Sequence, residues 1–284
     1  GTVAPLGLPV DTAGNGVLQP GETVVMAPAW RNAGASPVTL TGALSNFTGP
    51  NGPTYTITDS TAAYGTIAAA ANATCATGGD CFGIMVAGTR PAIHWDGTAT
   101  ETVTPTSTTK DWVLHVGDSF TDVPASNGFY RFIEILLHKG ITGGCGGTLY
   151  CPTNSTTREQ MAVFVLVAKE GAGYNPPACT TPVFNDVPAS SPFCKFIEEL
   201  VRRGVTSGCG GGNYCPTDAV TREQMAVFVL RTLDPTLNPP ACTTPVFNDV
   251  PASSGFCRWI EELFRRGVVT GCGGGNYCPT ASVT

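Results

Sequence analysis

The sequence predicts a two-part β + α protein, a β-sandwich over residues 1–117 followed by paired-helix repeats, stapled throughout by disulfides. Three observations carry this expectation. The front segment holds short β-prone runs separated by turn residues, a common text recurs 64 and then 63 residues on from Phe120, and twelve cysteines keep spacings that repeat with that text. At 284 residues the chain is too long for one small module.

In the front segment, β-prone runs occur at Thr23 to Trp30, Val38 to Leu44, Thr54 to Ile57, Tyr64 to Ile67, Phe82 to Val86, His94 to Val103 and Asp111 to Val116. Seven such runs in this length read as an immunoglobulin-like sandwich, with an open barrel as the alternative. Near the start, Asp11, Asn15, Gly16 and Glu22 match a calcium loop with acidic or amide residues at positions one and five, glycine at six and glutamate at twelve. Val17 would offer its carbonyl and Gln19 the ninth position, while Ala13 breaks the pattern. A hard cation needs several converging oxygens, so the expectation is bound Ca2+, against a plain Gly-Asn-Gly turn.

The repeats begin at residues 118, 183 and 246, giving segments 118–182, 183–245 and an incomplete 246–284. Each reads F-x-D-V-P-A-S, then an amphipathic helix ending at glycine, then G-C-G-G-x-x-Y-C-P-T. The first two continue into T-R-E-Q-M-A-V-F-V. In the middle repeat, Phe193, Phe196, Ile197, Leu200 and Val201 share one helical face. Ser191 is expected as the N-cap with Pro192 at the first helical position, and Glu198, Glu199, Arg202 and Arg203 are expected on the wet face. Thr157 with Gln160, and Thr221 with Gln224, have capping-box spacing and open the second helices.

Cys145/Cys151, Cys209/Cys215 and Cys272/Cys278 each enclose five residues, and Cys179/Cys194 and Cys242/Cys257 each enclose fourteen. Repeat one has His115 and Tyr130 where the other repeats have both members of the longer pair. Two cysteines that vanish together are expected to be bonded together. Cys75 and Cys81 remain, and would clip a hairpin around Gly78-Gly79. The alternatives are buried thiols or zinc, but paired C-x-x-C knuckles are missing and the three histidines lie far in sequence from most cysteines. Six disulfides imply an oxidising compartment and hence export.

This text, F-x-D-V-P, an amphipathic helix, a glycine-rich turn before proline and T-R opening a second helix, resembles the S-layer homology repeat family over about residues 118 to 284. Here the family's T-R-A-E reads T-R-E-Q, and a disulfide closes the loop. The resemblance implies helical envelope repeats that bind acidic cell-wall polysaccharide. Arg158 and Arg222 match the family's sugar-contacting arginine, and Asp122, Asp186 and Asp249 its F-x-D aspartate. On the residues alone, an arginine in the first turn of a helix opposes the dipole, so a carboxylate from another repeat or an anionic ligand is expected beside it. The aspartates could equally cap turns.

Charge narrows the function. Lys and Arg total 15 against 21 Asp and Glu, a net −6 with no basic run, which argues against nucleic acid and anionic membranes as partners. No apolar stretch reaches the roughly 20 residues of a spanning helix, and no leader precedes Gly1, so a mature, secreted form without membrane insertion is expected. Gly117-Asp118-Ser119 resembles a serine-esterase opening, but Pro91, Trp112 and Ile135 stand three before the histidines where that chemistry needs aspartate. No catalysis is expected. Repeat three stops at Thr284, which aligns with the helix-opening Thr157 and Thr221. Either the sequence is cut there or another chain supplies the missing contact. The expected role is a structural surface protein that assembles with identical copies into a fibre or layer, with polysaccharide anchoring as the alternative.

Overall fold

The computed structural model describes residues 2–284; Gly1, the first residue of the expected β domain, lies outside the described residues. The architecture is mixed β and α, with antiparallel sheets first and five α-helices after them. It divides into two compact units, residues 1–138 with 143–151, and residues 139–142 with 152–284.

In the first unit ten strands form three sheets. They are β1 (Val3–Gly7), β2 (Thr23–Met26), β3 (Ala29–Asn32), β4 (Val38–Thr48), β5 (Thr54–Asp59), β6 (Thr61–Ile67), β7 (Asn72–Thr74), β8 (Phe82–Ala87), β9 (Asp96–Thr104) and β10 (Thr108–His115). The sheet orders are β1-β3-β7, β10-β9-β4-β6 and β2-β8-β5. The expected single run from Thr23 to Trp30 is two strands in different sheets. Pro28 cannot donate to a ladder, so the chain changes sheets there, β2 pairing with β8 and β3 with β1 and β7. Pro5 and Gly7 hid β1 from sequence rules. The expected hairpin at Gly78-Gly79 is also corrected. The Cys75–Cys81 disulfide closes a crossover between β7 and β8, which belong to separate sheets.

Period-two alternation on β9 turns Gly97, Ala99, Glu101 and Val103 inward. Glu101 is fully buried and accepts hydrogen bonds from Trp112 Nε1 at 2.7 Å, Trp30 Nε1 at 3.2 Å and Tyr64 Oη at 2.6 Å. Burial pushes its carboxyl up, while these donors partly counter the shift. The carboxylate thus ties strands β3, β6 and β10 together from inside the core of Trp30, Leu40, Phe82, Ile84 and Trp95.

The same unit holds α1 (Tyr130–His138), whose Tyr130, Ile133 and Leu137 bury against Val17, Phe120 and Val123. Its partners are loops of the β-rich unit, so the first helix and disulfide loop of segment 118–182 fall in this unit and the second helix does not.

The second unit contains α2 (Arg158–Glu170), α3 (Cys194–Arg202), α4 (Arg222–Leu233) and α5 (Cys257–Arg265). Met161, Ala162 and Leu166 of α2 pack with Ile197 and Leu200 of α3 and Phe228 of α4. Ala226 and Leu230 of α4 instead face Trp259, Ile260 and Leu263 of α5. Burial falls on two sides of α4, because the helix is shared between two cores. Both capping boxes form. Ser191 does not cap a helix. It accepts from the Phe193 amide in a turn ahead of α3, which starts at Cys194. Glu199, expected on the wet face, is 2% exposed and held by Arg202 and by Arg203 Nε at 2.5 Å.

Replacing Glu101 with alanine leaves two indole N–H groups and a phenol without an acceptor. The expected loss is roughly 3–5 kcal/mol, read as a lowered midpoint of the tryptophan-fluorescence unfolding transition.

Candidate surface-anchoring groove

Three backbone amides, one per repeat, close a ring in the second unit. Val220 N donates to Thr156 O at 2.9 Å, Val283 N to Val220 O at 2.8 Å, and Thr156 N to Val283 O at 2.8 Å. Each of these residues sits close to a T-R or T-A-S text, so the ring presents the start of each second helix to the loop of the following repeat. The Arg158 and Glu159 amides, orphaned at the start of α2, donate to the carbonyls of Asp218 and Pro216. Arg222 and Glu223 repeat this on Ala281 and Pro279.

The arginine side chains follow the same rule. Arg158 Nε donates to Tyr214 O at 2.8 Å, and Tyr214 Oη donates back to Arg158 O at 2.8 Å. Arg222 and Tyr277 make the same reciprocal pair, at 2.8 and 2.9 Å. The Arg158 guanidinium also lies 4.8 Å over the Tyr214 ring and 5.5 Å from that of Phe228. A carbonyl acceptor and aromatic faces offset the unfavourable position at the helix N-terminus. Burial lowers the Arg158 pKa, the nearby phenol and aspartates opposing that shift.

Arg158 is 5% exposed, yet among the described residues it pairs with no carboxylate within salt-bridge distance. It lines a cleft of about 610 Å³ together with Gly208, Gln224, Phe228, Arg231 and Phe256. Arg231 stacks over Trp259, donates to Gly204 O, and leaves its buried Nε–H without a partner. The inter-repeat ion pair expected for Arg158 is therefore replaced by carbonyl and ring contacts. What remains is a cleft bearing two guanidinium groups with donor capacity to spare.

The F-x-D aspartates do not line this cleft, although Asp186 lies near enough to act on Arg158 through its charge. Asp122 accepts the amides of Tyr150 and Cys151 at 2.9 and 2.7 Å, Asp186 those of Tyr214 and Cys215 at 2.8 and 2.7 Å, and Asp249 those of Tyr277 and Cys278, both at 2.7 Å. Each carboxylate clamps a disulfide loop whose second cysteine has a left-handed backbone, with φ of 60°, 57° and 59°. These backbone bonds draw the Asp122 carboxyl below its ordinary range, and in Asp249 they outweigh the burial that would raise it. All six expected cystines are present: Cys75–Cys81, Cys145–Cys151, Cys179–Cys194, Cys209–Cys215, Cys242–Cys257 and Cys272–Cys278.

In the Asp11 loop, Asp11 Oδ2 accepts the Gly16 amide at 3.3 Å, Asn15 Oδ1 accepts that of Val17 at 3.0 Å, and Glu22 Oε2 accepts that of Gln19 at 3.4 Å. Asn15 Nδ2 donates to Gln19 Oε1, and Gln19 Nε2 to Asp118. A Cβ at Gly14 would collide with the Asp11 carboxylate, so glycine lets the turn wrap it. Burial and the neighbouring Asp11 and Asp118 push the Glu22 carboxyl up. Asp118 is the carboxylate that sequence spacing missed, because it is 96 residues beyond Glu22.

Ser119 is 2% exposed and donates its hydroxyl to Glu134 at 2.7 Å, so it presents no open nucleophile. Its neighbour His115 belongs to a cluster that sequence reading had scattered, all three histidines gathering on Asp96. Against the cost of burial, hydrogen bonds from His115 and His138 hold the Asp96 carboxyl well below the usual range. Despite burial, bonds to Asp96 and Glu134 raise His115.

Replacing Asp186 with alanine should cost about 3 kcal/mol, two charge-assisted bonds to backbone, and should open the 209–215 loop to proteolysis while the disulfide stays closed.

Comparison with known proteins places two S-layer homology domain matches at residues 119–162 and 183–226. Similar curated proteins include an endoglucanase of Bacillus sp. (strain KSM-635), 29% identical over 112 residues, covering 39% of this chain and 11% of that protein. A cell surface protein of Thermoanaerobacter kivui is 29% identical over 108 residues, 37% of this chain and 14% of its own length. A surface-layer 125 kDa protein of Lysinibacillus sphaericus is 29% identical over 120 residues, 41% of this chain and 10% of its own length. The similarity therefore spans only a small fraction of these relatives. Among the described residues no helix is long and apolar enough to cross a membrane. Residues 119–162 and 183–226 are S-layer homology domains, and with six disulfides beside them they mark a protein of the cell surface or the extracellular space.

Proposed function

We propose that the repeats anchor the protein to an acidic polysaccharide of the cell envelope, through the cleft that Arg158 and Arg231 line. The observation that carries this is a nearly fully buried Arg158 guanidinium with no carboxylate partner among the described residues. A buried cation with no directly paired carboxylate is costly, and an anionic sugar would supply one. Arg231, whose buried Nε–H lacks an acceptor, would share that anion. Arg222 would serve the equivalent position in the next repeat, and Asp122, Asp186 and Asp249 would shape the loops beside it. This role needs no catalytic step. The β unit, with one continuous core and antiparallel pairing, fits an immunoglobulin-like sandwich, with segments 118–182, 183–245 and 246–284 as the anchoring repeats.

Association with identical copies into a fibre or layer is a second reading, favoured by one observation. Phe129, immediately before α1, and Phe132 and Ile135 on it are 71%, 61% and 41% exposed, an apolar row with spacing of three. Sedimentation with purified cell-wall sacculi separates the two. Anchoring expects Arg158→Ala plus Arg231→Ala to lower the bound fraction at least tenfold with folding intact. Assembly expects large particles without sacculi, dispersed by Phe129→Ser plus Phe132→Ser and unaffected by the arginine changes.

Calcium in the Asp11 loop fits the same extracellular setting. Asp11, Glu22 and Asp118 would supply carboxylates, with Asn15, Gln19 and the Val17 carbonyl as neutral ligands. Calcium at 100-fold its Kd should stabilise the protein by about 2.7 kcal/mol, raising Tm, and Asp11→Asn with Glu22→Gln should remove that rise; an unchanged wild-type Tm overturns the site.

A further inference from the structure

The chain contains three histidines, and all three meet at one place. Antiparallel pairing sets Asp96, the first residue of β9, directly opposite His115, the last residue of β10. His94 lies in the bend just before β9, two residues from Asp96, while His138 closes the C-terminus of α1. His115 Nδ1 is 2.9 Å and His138 Nδ1 3.2 Å from Asp96 Oδ1, and His94 Nε2 is 3.1 Å from Asp96 Oδ2. The four donor atoms all lie within 4.8 Å of one another.

Tetrahedral zinc with bonds near 2.0–2.1 Å separates its ligand atoms by about 3.4 Å, so the spacing needs only small side-chain adjustment to admit an ion. The ring centroids are 5.4, 5.6 and 6.1 Å apart, and none of the pairs is stacked face to face. Three imidazoles converging on one aspartate offer a divalent cation four donor atoms from four side chains.

The second layer is also built. His115 Nε2 lies 2.9 Å from Glu134 Oε2, and Glu134 is 2% exposed and fixed by the amide and hydroxyl of Ser119. This carboxylate would hold the Nε2–H tautomer and leave Nδ1 free for metal, the usual support of a ligating histidine. Between His94 and Asp96, fully buried Trp95 donates to Tyr55 Oη at 2.8 Å and locks the strand entry. The ligands thus stand on rigid elements. Two other groupings, around Cys179 and Cys242, use thiols already spent in disulfides.

We propose that His94, Asp96, His115 and His138 form a structural zinc site, a closed three-imidazole, one-carboxylate tetrahedron that ties β9, β10 and α1 together. At the position where later repeats join the chain to the first helix by cystine, repeat one carries His115. The metal would thus do for repeat one what Cys179–Cys194 and Cys242–Cys257 do for its successors. This is independent of polysaccharide binding.

The full chain, stripped with chelator and dialysed, is titrated with Zn2+ alone in a calorimeter and, separately, with Co2+ in a spectrophotometer. Expected are one zinc per chain, intense tetrahedral cobalt bands in the visible, and a higher Tm with zinc. His94→Gln alters a half-exposed side chain that no core depends on and should weaken zinc at least tenfold; His138→Gln should do the same. Glu134→Gln, through His115 alone, should cost about 10–100-fold. Asp80→Asn, an exposed carboxylate outside both metal sites, serves as a control that leaves zinc binding unchanged. Failure of the wild-type chain to take up stoichiometric zinc overturns the site, as does wild-type affinity in both histidine variants, which would leave a hydrogen-bonded cluster only.

Discussion

The ring of amide-to-carbonyl bonds through Thr156, Val220 and Val283 constrains everything else in the second unit. A helix pair of this size cannot bury its apolar face alone, so each repeat borrows a surface from its neighbour. The ring sets the register of that borrowing. It brings the first turn of α2 onto the 215–218 loop, where backbone carbonyls take up the free amides, and only that register lets Arg158 and Tyr214 exchange their two hydrogen bonds. Arginine and tyrosine are thereby fixed by main-chain atoms, which any side-chain substitution elsewhere leaves in place.

Repeat one departs from its successors in a way that is chemically consistent. The glutamate one turn into the first helix, Glu134, Glu198 or Glu261, accepts the amide of Ser119, Val183 or Val246 in every copy. In the second and third repeats the nearby chain is then pinned by cystine. In the first, Tyr130 fills the helix position and hydrogen-bonds Asp118, and His115 reaches Glu134 instead. The shared glutamate gains a second partner in the one repeat that lacks the covalent tie.

Local chemistry was legible in the sequence. Thr157 with Gln160 and Thr221 with Gln224 form their capping boxes because three-residue spacing alone determines that contact. The cystines were legible because repeats served as mutual controls. What escaped was set by tertiary neighbours. Glu199 looks solvent-facing on a helical wheel, yet Tyr174 and Arg203 close over it. Glu101 looks like an outward strand residue among threonines, and period two gives no sign that three aromatic donors wait inside. The histidines lie 21 and 23 residues apart, and only strand register and the packing of α1 bring them to Asp96.

Low charge density explains why Arg158 has no carboxylate partner at salt-bridge distance. With 13% charged residues, the chain has few carboxylates to spare, and many of those in the repeats are occupied. Asp186 and Asp249 hold backbone amides, Glu198 and Glu261 hold others, and Glu199 and Glu262 take the arginines at the ends of α3 and α5. Arg158 is thus left to carbonyls and rings, which satisfy its geometry without cancelling its charge. A guanidinium neutralised by an internal carboxylate would have to break that pair before meeting an external anion. One held by neutral acceptors has no such pair to break, which is what the proposed anchoring to an acidic sugar requires.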